Sequence, residues 1–290
     1  MGSRRVGDIA VHELSHHAPE HGETTVLFAH ATGFHAHCWL PVAAHLPNVH
    51  SIGYDARGHG DTPIGPAWEA ADSVDWTVYG ADATAVATVV AAEAGAPLVG
   101  VGHSMGGAAL IMAALARPEL FRALVVYEPI VIPPITDRDA SFENPLASGA
   151  RRRRATFPDV ETAIANYASK PPMSAFADGV VDAYVRYGFG PALDDHGEPT
   201  GEITLKCRPE HEARTYEAGG NHATWKRLAE LQVPIWVLSG QTEPMQPSSW
   251  TETLAAQIPK ARFVRLDDLR HFGPLEAPAA IVAEADAATR

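Results

Sequence analysis

Leu98-Val99-Gly100-Val101-Gly102-His103-Ser104-Met105-Gly106-Gly107-Ala108-Ala109-Leu110 decides the fold of this chain. A short apolar run leads into a Gly-rich turn, and a helix-prone run leaves it. Strand, sharp turn and helix form the context of a G-x-S-x-G nucleophile turn, which exposes its central serine at the top of a sheet. The turn is tight and strained, so bulky residues flanking the serine would clash, and Gly102 and Gly106 fit there. The helix begins at the serine, so its free N–H groups face any negative charge that develops. Ser104 is therefore a candidate nucleophile. The plain structural alternative is a Gly-rich turn that ends a buried strand, and the flanking strand and helix favour the nucleophile.

The 290 residues suffice for one sheet-based enzyme with a sizeable core. Hydrophobic residues make up 46%, which excludes a disordered chain. No apolar run reaches membrane-spanning length, and the first residues lack the long apolar segment of a secretory signal. A formal charge of -13 disfavours nucleic acid and anionic membrane as partners. The one basic cluster, Arg151 to Arg154, reads as a solvated or salt-bridged helix face. Two cysteines, Cys38 and Cys207, are too few for a disulfide framework or a Cys-based zinc motif. Two free thiols and a cytoplasmic location are expected. The 15 histidines are scattered, with no H-E-x-x-H pair, so no metal site is expected.

In chain order, an opening β-hairpin is expected near Gly7 to His17, and a strand over Thr24–Ala29 that ends in the loop His30-Ala31-Thr32-Gly33-Phe34. Trp39 to Leu46 reads as a helix with Pro41 in its first turn, and His50 to Tyr54 as a strand. A helix over Trp76–Glu93 is stopped by Gly95 and Pro97. After the Ser104 turn and its helix, Ala123 to Tyr127 is a strand closed by Glu128-Pro129. Residues 130–221 lack clean apolar strand runs and carry many aromatics, among them Phe142, Phe157, Tyr184 and Phe189. They read as a helical cap over the carboxyl edge of the sheet. The β/α rhythm resumes with a helix over His222–Leu231, strands at Pro234–Leu238 and Ala261–Leu266, a helix over Ser248–Gln257, and a last helix from Pro278. Alternating strands and helices predict a parallel-rich α/β sheet with right-handed crossovers.

A serine hydroxyl needs a base to take its proton, usually a histidine oriented by a carboxylate. His271 is the best-placed base, in the Pro/Gly-bounded loop just past the last strand. The acid is expected on the loop after the preceding strand, where Glu243 is the only carboxylate of Ser239-Gly240-Gln241-Thr242-Glu243-Pro244. Glu128, at the end of the strand after the Ser104 helix, is the alternative acid, while Asp267 and Asp268 are read as pinning the His271 loop. Oxyanion donors are expected at the backbone N–H of Met105 and of Thr32, with Ala31 or Gly33 as alternatives to Thr32, each donor worth roughly 3 kcal/mol. His30 is read as structural.

Five motifs stand in order along the chain. They are His30-Ala31-Thr32-Gly33-Phe34 with Trp39 nine residues after His30, Asp55-Ala56-Arg57-Gly58-His59-Gly60, Gly102 to Gly107, Gly240-Gln241-Thr242-Glu243, and His271-Phe272-Gly273-Pro274-Leu275-Glu276-Ala277-Pro278. Together they resemble the cap-bearing serine hydrolases of the α/β-hydrolase superfamily over nearly the whole chain. Ala31 replaces the usual glycine of the first motif, and Glu243 the commoner aspartate of the fourth. The resemblance implies a mostly parallel eight-stranded sheet with a helical cap after the sixth strand. Residues 1–129 and 222–290 would form the core and 130–221 the cap. It also implies the chain order nucleophile, acid, base.

The reading favoured is an esterase-like serine hydrolase acting on a small carboxylic ester, thioester or lactone. It needs no cofactor or metal, and its partner is the small-molecule acyl substrate. A homodimer is an admissible assembly. Phe34, Trp39 and Phe272 are the candidate substrate-binding residues, with Met105 beside them and the cap aromatics around them. A carbon–carbon hydrolase of a diketone-like substrate is a second class, though Pro244-Met245-Gln246-Pro247 lacks the arginine such enzymes often carry after the acid. A non-catalytic ligand-binding protein of the same fold is a third.

Overall fold

A computed structural model describes residues 2–15, 23–46, 48–69, 74–134 and 144–289. Among the described residues eleven strands form two sheets. The large sheet holds β1 (Ser3–Val6), β2 (Ile9–Glu13), β3 (Thr24–Ala29), β4 (Val49–Tyr54), β5 (Leu98–His103), β6 (Phe121–Tyr127), β10 (Ile235–Ser239) and β11 (Ala261–Arg265), in the order β1-β2-β4-β3-β5-β6-β10-β11. The β1–β2 hairpin and its junction with β4 are antiparallel, and every later pairing is parallel. The hairpin turns at Gly7 (φ 57), earlier than its sequence pattern placed it, and the expected end at His16 and His17 lies outside the described residues.

The helices are α1 (Leu40–Ala43), α2 (Pro66–Glu69), α3 (Thr77–Ala94), α4 (Met105–Ala116), α5 (Pro145–Arg151), α6 (Val160–Ala168), α7 (Val180–Gly188), α8 (Pro209–Ala218), α9 (Thr251–Ala256), α10 (Gly273–Glu276) and α11 (Pro278–Thr289). The expected helix at Trp39 is split into a 3-10 turn, Ala36–Trp39, followed by α1, with Pro41 in its first turn. The stretch after His222 is 3-10 throughout, Ala223–Glu230. Gly95 stops α3 in a left-handed conformation (φ 65).

Alternate side chains of the central strands feed two cores, as the two-residue period requires. Leu27, Ala29, Leu124 and Val126 pack with α3, α4 and α9 on one face. Val26, Phe28, Val99, Val101, Val125 and Tyr127 pack with α1 and α11 on the other. Strands buried on both faces read as continuous apolar runs, so β3, β5 and β6 were legible. Each fully buried Val, Leu or Phe contributes about 1.5–3 kcal/mol.

The chain between β6 and β10 differs from its expectation. Beside α5 to α8 it contains a three-stranded antiparallel sheet, β7 (Thr156–Phe157), β9 (Pro199–Leu205) and β8 (Phe189–Leu193), in the order β7-β9-β8. Pro191 and Gly190 in β8 and Pro199 and Gly201 in β9 hid these strands, because such residues mark turns unless a strand lies at an edge. Much of β9 is exposed, so no apolar alternation marked it. Arg151 bridges α5 to Glu210 and Glu217 of α8, at 2.8 and 2.5 Å, and Arg153 pairs with Glu212 at 3.0 Å, so two of the four arginines in the basic run are salt-bridged to α8. Phe142 lies outside the described residues. Cys38 and Cys207 are free and buried, and burial pushes both thiols above their ordinary range. Among the described residues no helix is long and apolar enough to cross a membrane.

Five buried histidines, His30, His35, His37, His59 and His211, gather around the loops that follow β3 and β4. The rings of His30 and His59 lie 5.2 Å apart, those of His59 and His211 5.4 Å, and those of His35 and His37 6.0 Å. Burial holds all five below the ordinary imidazole range, His35 and His211 at about 4 and His37 at about 3. The unfolded chain takes up these protons below about pH 6.5 and the folded chain refuses them, so stability is full above that pH and is lost as pH falls. Denaturant unfolding should show a loss steeper than about 1.4 kcal/mol per pH unit between about pH 6 and 4.5, more than one proton supplies; a flat profile contradicts the neutral cluster. A second expectation concerns Gly106, where a Cβ would lie 2.3 Å from the Ala29 carbonyl oxygen and 2.6 Å from that of His30. Gly106→Ala should lower stability by about 2–3 kcal/mol, read as a fall in Tm, and an unchanged Tm contradicts this close approach.

Candidate active site

The site forms where β5, β6, β10 and β11 end. Ser104 follows β5 directly and caps α4, with φ 56 and ψ -115, a conformation costly for a residue with a Cβ. Its N–H donates to the Tyr127 carbonyl at 3.0 Å, and its own carbonyl accepts from Ala108 and Ile130, both at 3.1 Å. The turn is therefore held by its neighbouring strand and by its helix.

Glu128 follows β6 as Ser104 follows β5, and it too has a positive φ, 43. Its side chain is fully buried. One carboxylate oxygen accepts from the Gly240 N–H at 2.9 Å and the Ser239 hydroxyl at 3.3 Å. The other accepts from His271 Nδ1 at 2.7 Å. The carboxylate requires Nδ1 to carry the proton, which leaves Nε2 as the basic nitrogen of His271.

Glu243, the acid expected from its place in the chain, does not reach His271. Its carboxylate accepts from Gln241 Nε2 at 3.0 Å and lies 3.6 Å from Arg270, about one-third exposed. The Ser239-Gly240 segment that marked the acid loop instead donates two hydrogen bonds to Glu128. The geometry thus brings Glu128, not Glu243, together with His271. Asp267 and Asp268 are exposed.

The two expected oxyanion donors come from elements in direct contact. Met105 opens α4, so its N–H has no intrahelical acceptor. Thr32 is buried in the loop after β3. The absence of a side chain at Gly106 lets the first turn of α4 press against the carbonyls of Ala29 and His30, where that loop begins. His30 Nδ1 donates to the Ala31 carbonyl at 2.8 Å, and its Nε2 accepts the Ala56 N–H at 2.8 Å, which ties this loop to the one after β4. Asp55 anchors the same region by accepting from the Ala36 and Asp61 N–H groups and from His12, each at 2.8 Å. Burial is the largest single influence and raises its carboxyl, but the His12 hydrogen bond and the electrostatic interactions with His12, His35 and His30 together outweigh it and hold the group below its ordinary value.

Phe34 and Phe272 are brought together beside His271. The ring centroids of Phe34, Phe176 and Phe272 form a triangle with sides of 5.6 to 6.1 Å, and Phe272 lies 5.3 Å from the His271 ring. Tyr184 joins at 5.4 Å from Phe34. Phe176 and Tyr184 belong to the insertion, where no sequence motif singled them out. Trp39 corrects its expectation: it is buried in the core under the sheet, 5.2 Å from Phe28 and among Val42 and Val99. The Met105 side chain is likewise part of the α4 core.

Two clefts lie elsewhere. One of about 470 Å³ is lined by residues including Ile132, His222 and Trp225, and one of about 660 Å³ by residues including Arg5, Lys206 and His211. Neither is lined by Ser104 or His271. Among the described residues the one group spaced to hold a metal is His12, Asp55 and Asp61. Its atoms are committed already, His12 to Asp55 and Asp61 to Lys206 Nζ at 2.6 Å.

Three comparisons place the chain among known proteins. It is 36% identical over 110 residues to lipase LipV of Mycobacterium tuberculosis, an alignment that spans 38% of this chain and 39% of that protein. The fold is similar to that of the peroxisomal alpha-beta-hydrolase Lpx1 of Saccharomyces cerevisiae, with a TM-score of 0.74 at 15% identity, over 96% of this chain and 80% of that one. It is also similar to E-2-(acetamidomethylene)succinate hydrolase, with a TM-score of 0.71 at 18% identity, over 97% and 96% of the two chains. The profile of the alpha/beta hydrolase family matches residues 26–285, and the chain belongs to that family.

Proposed function

We propose that the chain is a serine hydrolase of small carboxylic esters, thioesters and lactones being chemically equivalent targets, and that Ser104, His271 and Glu128 do the work. One observation carries this reading. Two non-glycine residues with left-handed backbone stand side by side at the ends of β5 and β6, and the second, Glu128, holds the only histidine that follows the last strand. Strain at two adjacent strand ends persists when the surroundings enforce it, and such sites are enriched in function.

In the proposed reaction Ser104 Oγ attacks the carbonyl carbon while its proton passes to His271 Nε2. Glu128 stabilises the imidazolium through Nδ1–H, and the N–H groups of Met105 and Thr32 take the oxyanion. His271 returns the proton to the departing alcohol. Water, deprotonated by the same nitrogen, then attacks the acyl-enzyme and releases the acid. The aromatic triangle of Phe34, Phe176 and Phe272 supports an apolar acyl group, under a cap formed by residues 130–221. The lipase among the relatives favours esters.

The test combines a fluorophosphonate probe with p-nitrophenyl esters of graded acyl length. Wild-type protein should be labelled and should turn over, and Ser104→Ala should do neither. Glu128→Gln should lower kcat at least about a hundredfold, while Glu243→Gln stays within about twofold. The reverse ranking assigns the acid to Glu243, and turnover that survives Ser104→Ala removes the mechanism. Phe176→Ala should change the ratio of kcat/KM between hexanoyl and acetyl esters by about fivefold or more. Trp39→Phe should leave that ratio alone and act on stability.

A further inference from the structure

The residues just before Ser104 and Glu128 make a matched pair that the reaction above does not use. His103 ends β5 and Tyr127 ends β6, and the two are direct partners in the strand register. By the alternation of the sheet both point to the face that carries α11: Val99, Val101 and His103 on one strand, Ala123, Val125 and Tyr127 on the other. Their rings meet edge to face, with centroids 5.9 Å apart. Between them they reach two consecutive peptide groups. Tyr127 Oη donates to the Arg270 carbonyl at 2.6 Å, and His103 Nε2 donates to the His271 carbonyl at 2.7 Å. These carbonyls flank the Cα of His271.

Holding both peptide planes around one Cα fixes its φ and ψ, and with them the direction of its Cβ. Only the two side-chain torsions then remain, and the Nδ1 bond to Glu128 sets those. The neighbourhood is shaped for the clamp. A Cβ at Gly273 would stand 2.4 Å from Tyr127 Oη, and one at Gly240 would stand 2.7 Å from it. The His103 ring lies 5.0 Å from that of His271, and burial keeps His103 well below the ordinary imidazole range. It therefore donates as a neutral ring and adds no charge beside the base.

We propose that His103 and Tyr127 are paired positioning residues that clamp the carbonyls on either side of His271, so that the strands delivering Ser104 and Glu128 also aim the base between them. The proposal rests on the Ser104–His271–Glu128 reading for its kinetic consequences. Both side chains are buried, His103 and Tyr127 alike, so loss of the clamp acts on the reacting geometry rather than on binding.

The experiment compares Tyr127→Phe, His103→Leu and His103→Gln with wild type. Tyr127→Phe removes one oxygen and keeps the ring. Gln carries an N–H donor the same number of bonds from Cβ as His Nε2, and Leu carries none. Tyr127→Phe and His103→Leu should each lower kcat about tenfold or more with KM within about twofold, since small misplacements of a catalytic group cost that much. His103→Gln should recover most of the loss. In resting protein carrying ¹⁵N-histidine, the Nδ1–H resonance of His271 should be sharp in wild type and His103→Gln. It should be broadened in the other two variants. Equal losses for His103→Gln and His103→Leu overturn the proposal, as do unchanged kcat and an unchanged resonance in Tyr127→Phe. A wild-type protein without Ser104-dependent turnover would bring down the hydrolase reading, and the resonance would still test the clamp.

Discussion

The carboxylate of Glu128 has no contact with water, and burying an ionised carboxylate costs several kcal/mol unless hydrogen bonds replace its hydration. Three donors do so, from two different segments: His271 Nδ1 from the loop after β11, and the Gly240 N–H and Ser239 hydroxyl from the end of β10. Removing any of them leaves a buried charge short of a partner. This requirement ties the loop after β11 to the ends of β6 and β10. It also fixes the tautomer of His271, with Nδ1 carrying the proton and Nε2 left basic.

The opposite electrostatic solution operates around the loop after β3. There burial keeps a row of histidines neutral, and polar contacts such as His30 between Ala31 and Ala56 hold backbone to backbone. The loop carrying the Thr32 N–H thus rests on uncharged rings and one anchored carboxylate, Asp55. One side of the site is built around a buried charge and the other around buried neutral groups. Both are ways to hold loops rigid where backbone groups would otherwise turn to water.

Most of the large sheet was legible because its strands are short, apolar and buried on both faces, and because Gly-rich punctuation marked where each one ends. Ser104 and His271 were legible as candidates for a related reason: one directly follows β5 at a Gly-rich turn, and the other lies in the Pro/Gly-bounded loop after β11. The small sheet of the insertion was not, since its longest strand, β9, is largely exposed and contains Pro199 and Gly201. Trp39 misled because its distance from His30 fitted a motif, and spacing says nothing of the direction in which the side chain leaves the backbone. It leaves toward Phe28, into the core beneath the loop it was expected to line. His103 filled a variable position of the G-x-S-x-G pattern, and only its register with Tyr127 gives it meaning.

The placement of the two candidate acids, Glu243 and Glu128, has a sharper lesson. β6 and β10 are adjacent and parallel, with Tyr127 opposite Leu238, so the residues after them arrive at the same level beside His271. A carboxylate on either strand end can reach that level, and the two positions are geometrically interchangeable. They are not independent, because a buried carboxylate at one needs donors from the other. Glu128 occupies the end of β6, and Ser239 and Gly240 at the end of β10 supply a hydroxyl and an N–H to it. A second carboxylate at that point would add like charge beside a buried anion, at a cost that rises as water is excluded. Glu243 is accordingly turned outward to Arg270 and Gln241, where solvent shares its charge. Reading the acid from such a sequence therefore means weighing both strand ends at once, and asking which offers the carboxylate and which the donors.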